Sequence, residues 1–340
     1  MRDNPRVDAA VARKGPDQPA VPRDAGAGLS CIVPCKNEAK NLELLLPRLA
    51  EILPTLGLPW EVLLVDDGST DATPAIAAAW ATRVPGIRLL QLSRNFGKEA
   101  AITAGLESVH GGVVVILDAD LQHPPGLIAD MLARWREGAD IVYAVRQDRS
   151  DESLVKRAGT GLFYRLINAG DRFQVPAGAG DFRLMDRAAV QALLMLPERR
   201  RFMKGLYAWV GFDAQPLPYE PAERAHGRSH FSLKRLVSLS LDGLTSFTTW
   251  PLRIVSYVGA VLALLSFSYG GYISIEYFFV GNEVSGWTTI VVTMMFFFGM
   301  QMLFIGIIGE YVGRIFEEVK QRPVYVVRRQ VGRGLADPRA

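Results

Sequence analysis

Apolar and polar positions in the first half of the chain follow two alternating patterns. Short apolar runs bounded by turn-forming residues predict buried β-strands at Leu29–Cys35, Glu61–Asp67, Ile87–Ser93, Val113–Leu117 and Ala139–Arg146. Longer segments with apolar residues at helical spacing predict α-helices at Leu42–Leu53, Thr73–Thr82, Glu99–Val109 and Leu127–Glu137. Because strands and helices alternate, we predict an α/β domain with a mostly parallel central sheet and crossover helices.

The second half of the chain contains two long apolar segments, 254–280 and 287–312. Each exceeds the roughly 20 apolar residues that cross a bilayer, so we predict a transmembrane hairpin rather than a helical pair in a soluble core. The link 281–286 has no Lys or Arg, whereas basic residues flank the hairpin at Arg253, Arg314, Lys320, Arg322 and Arg328. The positive-inside rule therefore predicts a multi-pass protein with its α/β domain and both termini in the cytoplasm.

The segment 231–250 connects the α/β domain to this hairpin. Its apolar residues fall broadly on one side, with Lys234 and Arg235 near its start, which predicts an amphipathic helix in the membrane interface; a helix packed on a soluble core is the alternative. Residues 1–28 have no apolar run and are predicted to be a disordered tail rather than a secretory signal. The remaining predicted divisions are an α/β domain at 29–230, a hairpin at 251–313 and a C-terminal segment at 314–340.

Composition changes this picture little. The 340 residues are 49% hydrophobic, in keeping with membrane segments, and the net charge of +3 is too small to indicate a nucleic-acid partner. Cys31 and Cys35 are the only cysteines. Residues four apart on a strand are too distant for a disulfide, so we predict two buried, reduced thiols.

Polar residues cluster where the predicted strands end, at Lys36–Glu38, Asp66–Ser69, Gly97-Lys98 and Asp118–Gln122. In open parallel sheets, ligands bind beyond these carboxyl ends. The first strand is not followed by Gly-x-Gly-x-x-Gly, and the chain has no GxxxxGK[ST] phosphate loop. A bound diphosphate would therefore need a metal ion and basic side chains to neutralise it.

Asp118-Ala119-Asp120 is the candidate metal-binding motif. On an extended backbone the two carboxylates point the same way, and a hard cation such as Mg²⁺ or Mn²⁺ would relieve their repulsion. A solvated turn that happens to contain two Asp is the alternative, since Asp is common in turns.

Four motifs in order, CIVPCKNE, VLLVDDGSTD, ILDADLQHPP and GDFRLMDR, resemble those of the family 2 glycosyltransferases with the GT-A fold. Within that family the chain is most similar to the polyisoprenyl-phosphate hexosyltransferases, from about Leu29 to Arg328. The resemblance implies inverting transfer of one hexose, glucose from UDP-glucose, to undecaprenyl phosphate at the bacterial inner membrane. It also implies a homo-oligomer, with a tetramer possible. The alternatives are another donor, such as GDP-mannose or a modified aminosugar, and a catalytically silent scaffold.

The resemblance also implies roles for residues on the donor side. Pro34 and Glu38 would border the nucleotide, Asp66 and Asp67 would hold the base and ribose, and Lys98 would lie near the nucleotide. Asp118 and Asp120 would bind ribose or metal, with Gln122 as a further metal ligand and Asp120 as a catalytic residue. Helix or turn capping is the alternative for Asp66-Asp67, and a solvated surface lysine is the alternative for Lys98.

On the acceptor side, the resemblance implies that Arg146, Arg157 and Arg183 bind the lipid phosphate while Asp181 faces the reaction centre. The alternatives are surface charge for Arg146 and Arg157 and an ion pair in the sheet for Arg183. Residues 224–230 resemble the Arg-x-x-Gly-x-Ser-Lys loop that closes over the diphosphate, which assigns Arg224 to the donor, although His230 replaces the lysine. Lys204 and Gly205 replace the Arg-Trp pair of chain-extending members, which argues against a processive synthase.

Overall fold

The computed structural model describes residues 28–146, 175–176, 179–199, 201–220, 250–280 and 286–335. The chain divides into two compact units, one made of Met1–Val237 with Pro323–Ala340 and the other of Ser238–Arg322. The last residues of the chain therefore belong to the same unit as the α/β domain.

The first half of the chain folds in the predicted order. It forms β1 (Leu29–Cys35), α1 (Ala39–Ile52), β2 (Trp60–Asp66), α2 (Thr73–Arg83), β3 (Ile87–Leu92), α3 (Lys98–Ser108), β4 (Val113–Ile116), α4 (Leu127–Arg136) and β5 (Ile141–Arg146). Each boundary lies within one helical turn of its predicted position. The period of the apolar positions was sufficient to predict these elements because every one of them has a buried face.

Further elements follow after β5. They are β6 (Ala179–Asp186), α5 (Arg187–Met195), α6 (Met203–Trp209), β7 (Ala214–Tyr219), α7 (Trp250–Val280), α8 (Trp287–Lys320) and β8 (Val327–Val331). Strand β6 contains all but the last residue of the GDFRLMDR motif. Strand β8 was not predicted, since 314–340 was assigned only as a C-terminal segment.

The strands form one mixed sheet in the order β7-β5-β6-β4-β1-β2-β3-β8. Strands β1 to β4 pair in parallel, and β7 pairs in parallel with β5. Two strands run against this direction: β6 lies antiparallel between β4 and β5, and β8 lies antiparallel on β3. The prediction of a mostly parallel α/β sheet is confirmed in this mixed form.

The core of the domain lies on both faces of the central strands. All residues of β1 and β4 are buried, as expected for strands covered by helices on both sides. Helix α1 packs against them through Leu42, Leu45, Leu46 and Leu49. Each such buried leucine contributes about 1.5–3 kcal/mol to the free energy of unfolding.

The cysteine prediction is confirmed. Cys31 and Cys35 are both free and buried in β1. Burial raises the pKa of the Cys31 thiol to about 12, and burial together with the nearby Asp66 carboxylate also raises that of Cys35. Both thiols therefore stay protonated and unreactive at neutral pH.

The second unit contains the two long helices, α7 and α8. Within the described part of the chain, one helix is long and apolar enough to cross a membrane, Thr289–Lys320. Its most apolar stretch of 18 residues has a mean hydropathy of 2.2, and none of that stretch is buried. Helix α8 extends past the predicted end of the apolar segment at Val312. Of the predicted interfacial segment 231–250, only Trp250 is described, and it is the first residue of α7.

Candidate functional site

The loops that follow β1 and β2 are tied together at the carboxyl end of the sheet. The backbone N–H of Asn37 donates to Ser69 Oγ at 2.9 Å, and the N–H of Thr70 donates to Asn37 Oδ1 at 2.8 Å. The N–H of Glu38 donates to Thr73 Oγ1 at 2.8 Å. Pro34 is buried in β1 just before this junction. The predicted donor-binding residues Pro34 and Glu38 thus belong to one cross-linked rim.

Asp66 is the last residue of β2 and is fully buried. Its Oδ1 accepts the backbone N–H of Ser69 at 3.1 Å, and its Oδ2 accepts Gln91 Nε2 at 3.0 Å. A carboxylate offers about four lone-pair sites, but the Asp66 side chain is fully buried, so its contact with a ligand stays a prediction. Gly68 has a φ of 66° and must stay glycine, because a Cβ there would lie 2.5 Å from the carbonyl carbon of Arg94.

Asp67 organises the loop before α3. Its Oδ1 accepts the N–H of Phe96 at 2.7 Å, and its Oδ2 accepts the N–H of Gly97 at 3.0 Å. Burial raises the pKa of Asp67 despite these two donors. The carboxylate therefore fixes the backbone from which Lys98, the first residue of α3, projects.

Lys98 lies between two carboxylates at the centre of this edge. Its Nζ is 2.6 Å from Asp118 Oδ1 and 2.6 Å from Asp181 Oδ2, and its side chain is 40% exposed. Partial burial alone would lower the pKa of Lys98, but the two carboxylates raise it. Burial opposes ionisation of Asp181, yet Lys98, Lys204 and Arg183 hold the pKa of Asp181 well below its ordinary value. Lys98, the first residue of α3, thus connects Asp118, in the loop after β4, with Asp181 of β6.

The Asp118–Asp120 segment departs from the predicted geometry. Strand β4 ends at Ile116, Ala119 and Asp120 lie in a turn, and Leu121 has a φ of 62°. The two carboxylates are therefore not related by extended-strand alternation, and that part of the prediction is wrong. The turn is closed by Asp120 Oδ1, which accepts the N–H of Gln122 at 3.2 Å.

The chemistry of this turn still fits a hard cation. Asp118, Asp120 and Gln122 supply the carboxylate and amide oxygens that Mg²⁺ and Mn²⁺ prefer. The described residues contain no group of three or more His, Cys, Asp or Glu side chains arranged to hold a metal. His123 Nδ1, beside the turn, is buried and has no hydrogen-bond partner among the described atoms, and burial lowers the pKa of its imidazole. The metal assignment stays a prediction.

Arg183 lies buried within β6. Its side chain is only 3% exposed, its NH2 donates to the Gly180 carbonyl at 2.6 Å, and its guanidinium lies 3.4 Å from the ring centre of Tyr207. This placement leaves little of Arg183 available to a ligand and supports the β6 backbone around Asp181. Tyr207 is buried, and burial raises its pKa.

The other predicted acceptor residues are only partly described. Arg146 ends β5 and pairs in register with Tyr219 of β7. Arg157, Arg224 and His230 lie outside the described residues. Sequence reasoning missed two residues that contact the site, Gln91 and Tyr207. A glutamine within the otherwise apolar stretch LLQL is the signal that identifies Gln91, since a buried amide needs hydrogen-bond partners.

Comparison with known proteins places this geometry in a family. Residues 30–194 match the model described as glycosyl transferase family 2, and residues 250–315 match the GtrB C-terminal hairpin. An uncharacterized glycosyltransferase of Synechocystis sp. is 42% identical over 88% of this chain and 94% of its own length. The SfII prophage-derived bactoprenol glucosyl transferase of Shigella flexneri is 40% identical over 88% of this chain and 97% of its own. At these identities, across nearly the full length of both relatives, the chain belongs to glycosyltransferase family 2, with the GT-A α/β fold.

Proposed function

We propose that this glycosyltransferase moves one glucose from UDP-glucose to a polyprenyl phosphate with inversion. The observation that supports this most is the similarity to the Shigella bactoprenol glucosyl transferase, which is 40% identical over 97% of its own length. In the site itself, the Lys98 ammonium lies 2.6 Å from both Asp118 and Asp181, which supports a binding site for a charged ligand at the carboxyl edge of the sheet.

On the donor side, Asp66 and Asp67 hold the base and ribose at the rim that Pro34 and Glu38 complete. Lys98 and Arg224 face the diphosphate. Asp118, Asp120 and Gln122 hold Mg²⁺ or Mn²⁺. When bound, the cation neutralises charge that develops on the leaving diphosphate.

On the acceptor side, Arg146 and Arg157 bind the lipid phosphate, and Arg183 supports the β6 backbone that carries Asp181. A phosphate monoester has a second pKa of about 6, so at neutral pH it is mostly ionised. One phosphate oxygen attacks the anomeric carbon, the bond from that carbon to UDP breaks, and UDP leaves with the electron pair. No base has to remove a proton from this acceptor, so Asp181 need not act as a base and orients the acceptor through the Lys98 ammonium that it contacts.

The membrane part is proposed to be a two-helix hairpin formed by α7 and α8. The match of residues 250–315 to a C-terminal hairpin family supports two helices, and the apolarity of Thr289–Lys320 supports one span directly. The segment 231–250 lies in the cytoplasmic interface, and 29–230 is the catalytic domain. This arrangement brings a water-soluble donor to a lipid whose phosphate stays at the bilayer surface.

A donor screen on the purified full-length chain tests the proposal. With undecaprenyl phosphate and Mg²⁺, we expect a hexosyl-lipid product from UDP-glucose, detected by mass spectrometry, and a strong loss of product in chelator. Product from GDP-mannose or an aminosugar donor but not from UDP-glucose would overturn the donor assignment. Transfer to another saccharide would overturn the acceptor assignment.

Asp120→Asn tests the metal role separately. The substitution removes one anionic ligand while keeping the side-chain shape, so we expect kcat to fall about 100-fold or more with the fold intact. Asp130→Asn, at an exposed position on α4, is the matched control and should keep full activity. Full activity of Asp120→Asn, or of the unchanged protein in chelator, would contradict the metal assignment.

A further inference from the structure

A continuous line of hydrogen bonds runs from the C-terminal strand to the donor rim. Arg329 Nε, on β8, donates to Gln91 Oε1 at 2.8 Å. Gln91 Nε2, on β3, donates to Asp66 Oδ2 at 3.0 Å. Asp66 is fully buried and Gln91 is 8% exposed, so both side chains depend on protein partners rather than on water.

The arginine determines which way the glutamine amide faces. A guanidinium can only donate, so Gln91 must turn its carbonyl oxygen toward Arg329. The amide NH₂ is then left facing Asp66, which as a carboxylate can only accept. Without Arg329 the amide oxygen loses its charged donor, and among the described residues the contact with Asp66 is left as the one bond that still holds the Gln91 side chain in place.

Backbone pairing holds β8 in place independently of this side chain. Gln91 lies opposite Arg329 in the β3–β8 register, beside the pair Leu90 and Gln330. At the start of the strand, the N–H of Ser93 donates to the Val326 carbonyl at 2.8 Å. Truncating Arg329 therefore removes the side-chain bond and leaves the strand itself paired.

We propose that Arg329 is a positioning residue for the donor nucleotide, acting through Gln91 on Asp66. The proposal rests on the proposed function, in which Asp66 binds the nucleoside of UDP-glucose. The segment after the last apolar helix then completes the donor site from the far edge of the sheet, although it touches no substrate.

Arg329→Ala in the full-length chain is the first test. We expect UDP to bind about tenfold more weakly by titration calorimetry, with a matching rise in KM for UDP-glucose, because one charge-assisted hydrogen bond is lost. The value of kcat should stay within about twofold, since no group at the reacting atoms changes. Arg328→Ala, next to it on β8, is the matched control and should leave UDP affinity unchanged. Arg329→Lys keeps a donor and should restore part of the affinity.

Gln91→Leu provides a second route to the same site if Arg329→Ala fails to fold. It should weaken UDP binding at least as much, and Arg329→Ala added to it should cause no further loss, because both act through one contact with Asp66. Wild-type UDP affinity in Arg329→Ala, or additive losses in the double variant, would overturn the inference.

Asp66→Asn distinguishes failure of the proposed donor site from failure of the role proposed for Arg329. If Asp66→Asn keeps its UDP affinity, the assigned donor site is wrong. If Asp66→Asn loses affinity while Arg329→Ala does not, only the role of Arg329 is wrong.

Discussion

Two like charges meet a single cation at the centre of the site. Asp118 and Asp181 would repel each other without the ammonium of Lys98, which is 2.6 Å from each. Each residue was assigned to the site from its motif, but their mutual contact was not predictable. It depends on β6 entering the sheet antiparallel beside β4, and no local pattern in either strand specifies that partner.

The lowered pKa of Asp181 makes stability depend on pH in a predictable direction. Below the ordinary carboxyl pKa of 3.8 the unfolded chain binds a proton that the folded chain does not, so stability is present above that pH and is lost as pH falls through the lower folded value. Lys98→Met removes the main cause of the shift. We expect it to flatten the decline in Tm between pH 5 and pH 3, as measured by scanning calorimetry.

Lys40→Met, an exposed lysine on α1, is the control and should retain the wild-type pH profile. An unchanged profile in Lys98→Met would show that the ammonium does not stabilise ionised Asp181. Asp181→Asn should also flatten the decline, because it removes the titrating carboxyl itself, whereas in Lys98→Met the buried Asp181 still titrates but without the ammonium that lowers its pKa.

At the scale of elements, strands without a continuous apolar run limit what the sequence predicts. Strands β1 to β5 and their helices were predictable because each has a continuous apolar run or face. Strand β8 was not, because VRRQV has polar residues through its middle, which is typical of an edge strand. Its partner β3 is distant in the chain, and the glutamine that joins them was hidden in an apolar run.

Substitution of Gly68 tests how closely the loops that follow β2 and β3 must approach each other. A Cβ there meets the Arg94 carbonyl carbon at 2.5 Å and the Asn95 nitrogen at 2.6 Å, and both are backbone atoms that cannot move cheaply. We expect Gly68→Ala to lower the free energy of unfolding by more than about 2 kcal/mol and to weaken UDP binding.

Gly57→Ala is the matched control for this substitution. Gly57 has a similar φ of 71°, but nothing lies within 4 Å of its added Cβ. Gly57→Ala therefore reports only the free-energy cost of holding a non-glycine residue at a positive φ, about 1–2 kcal/mol. Urea unfolding measures both variants, and equal losses would show that the loops relax around the methyl group added at Gly68 rather than resist it.

At the scale of the whole molecule, the proposed membrane hairpin of α7 and α8 determines which substrates can meet. Helix α8 leaves most of its large apolar side chains without protein cover, including Phe296, Met302, Leu303 and Phe316. Such an apolar surface marks a contact with lipid or with another protein, and lipid is the contact that the proposed function requires. Under the proposed function a lipid-phosphate acceptor and an aqueous donor have to meet on one side of the bilayer, and the charge asymmetry around the predicted hairpin predicts that this side is the cytoplasm.

The orientation of the protein in the membrane can be measured by cysteine labelling, because the two native thiols do not react. Cys31 and Cys35 are buried, and burial raises both pKa values, so an impermeant maleimide should not label the unmodified protein. In right-side-out vesicles we expect Asn282→Cys, in the link between the apolar segments, to be labelled at once. Asp130→Cys, exposed on α4, should be labelled only after the membrane is opened. Labelling of Asp130→Cys in sealed vesicles would place the catalytic domain outside the cytoplasm, where no nucleotide sugar is supplied, and the proposed reaction would then lose its donor.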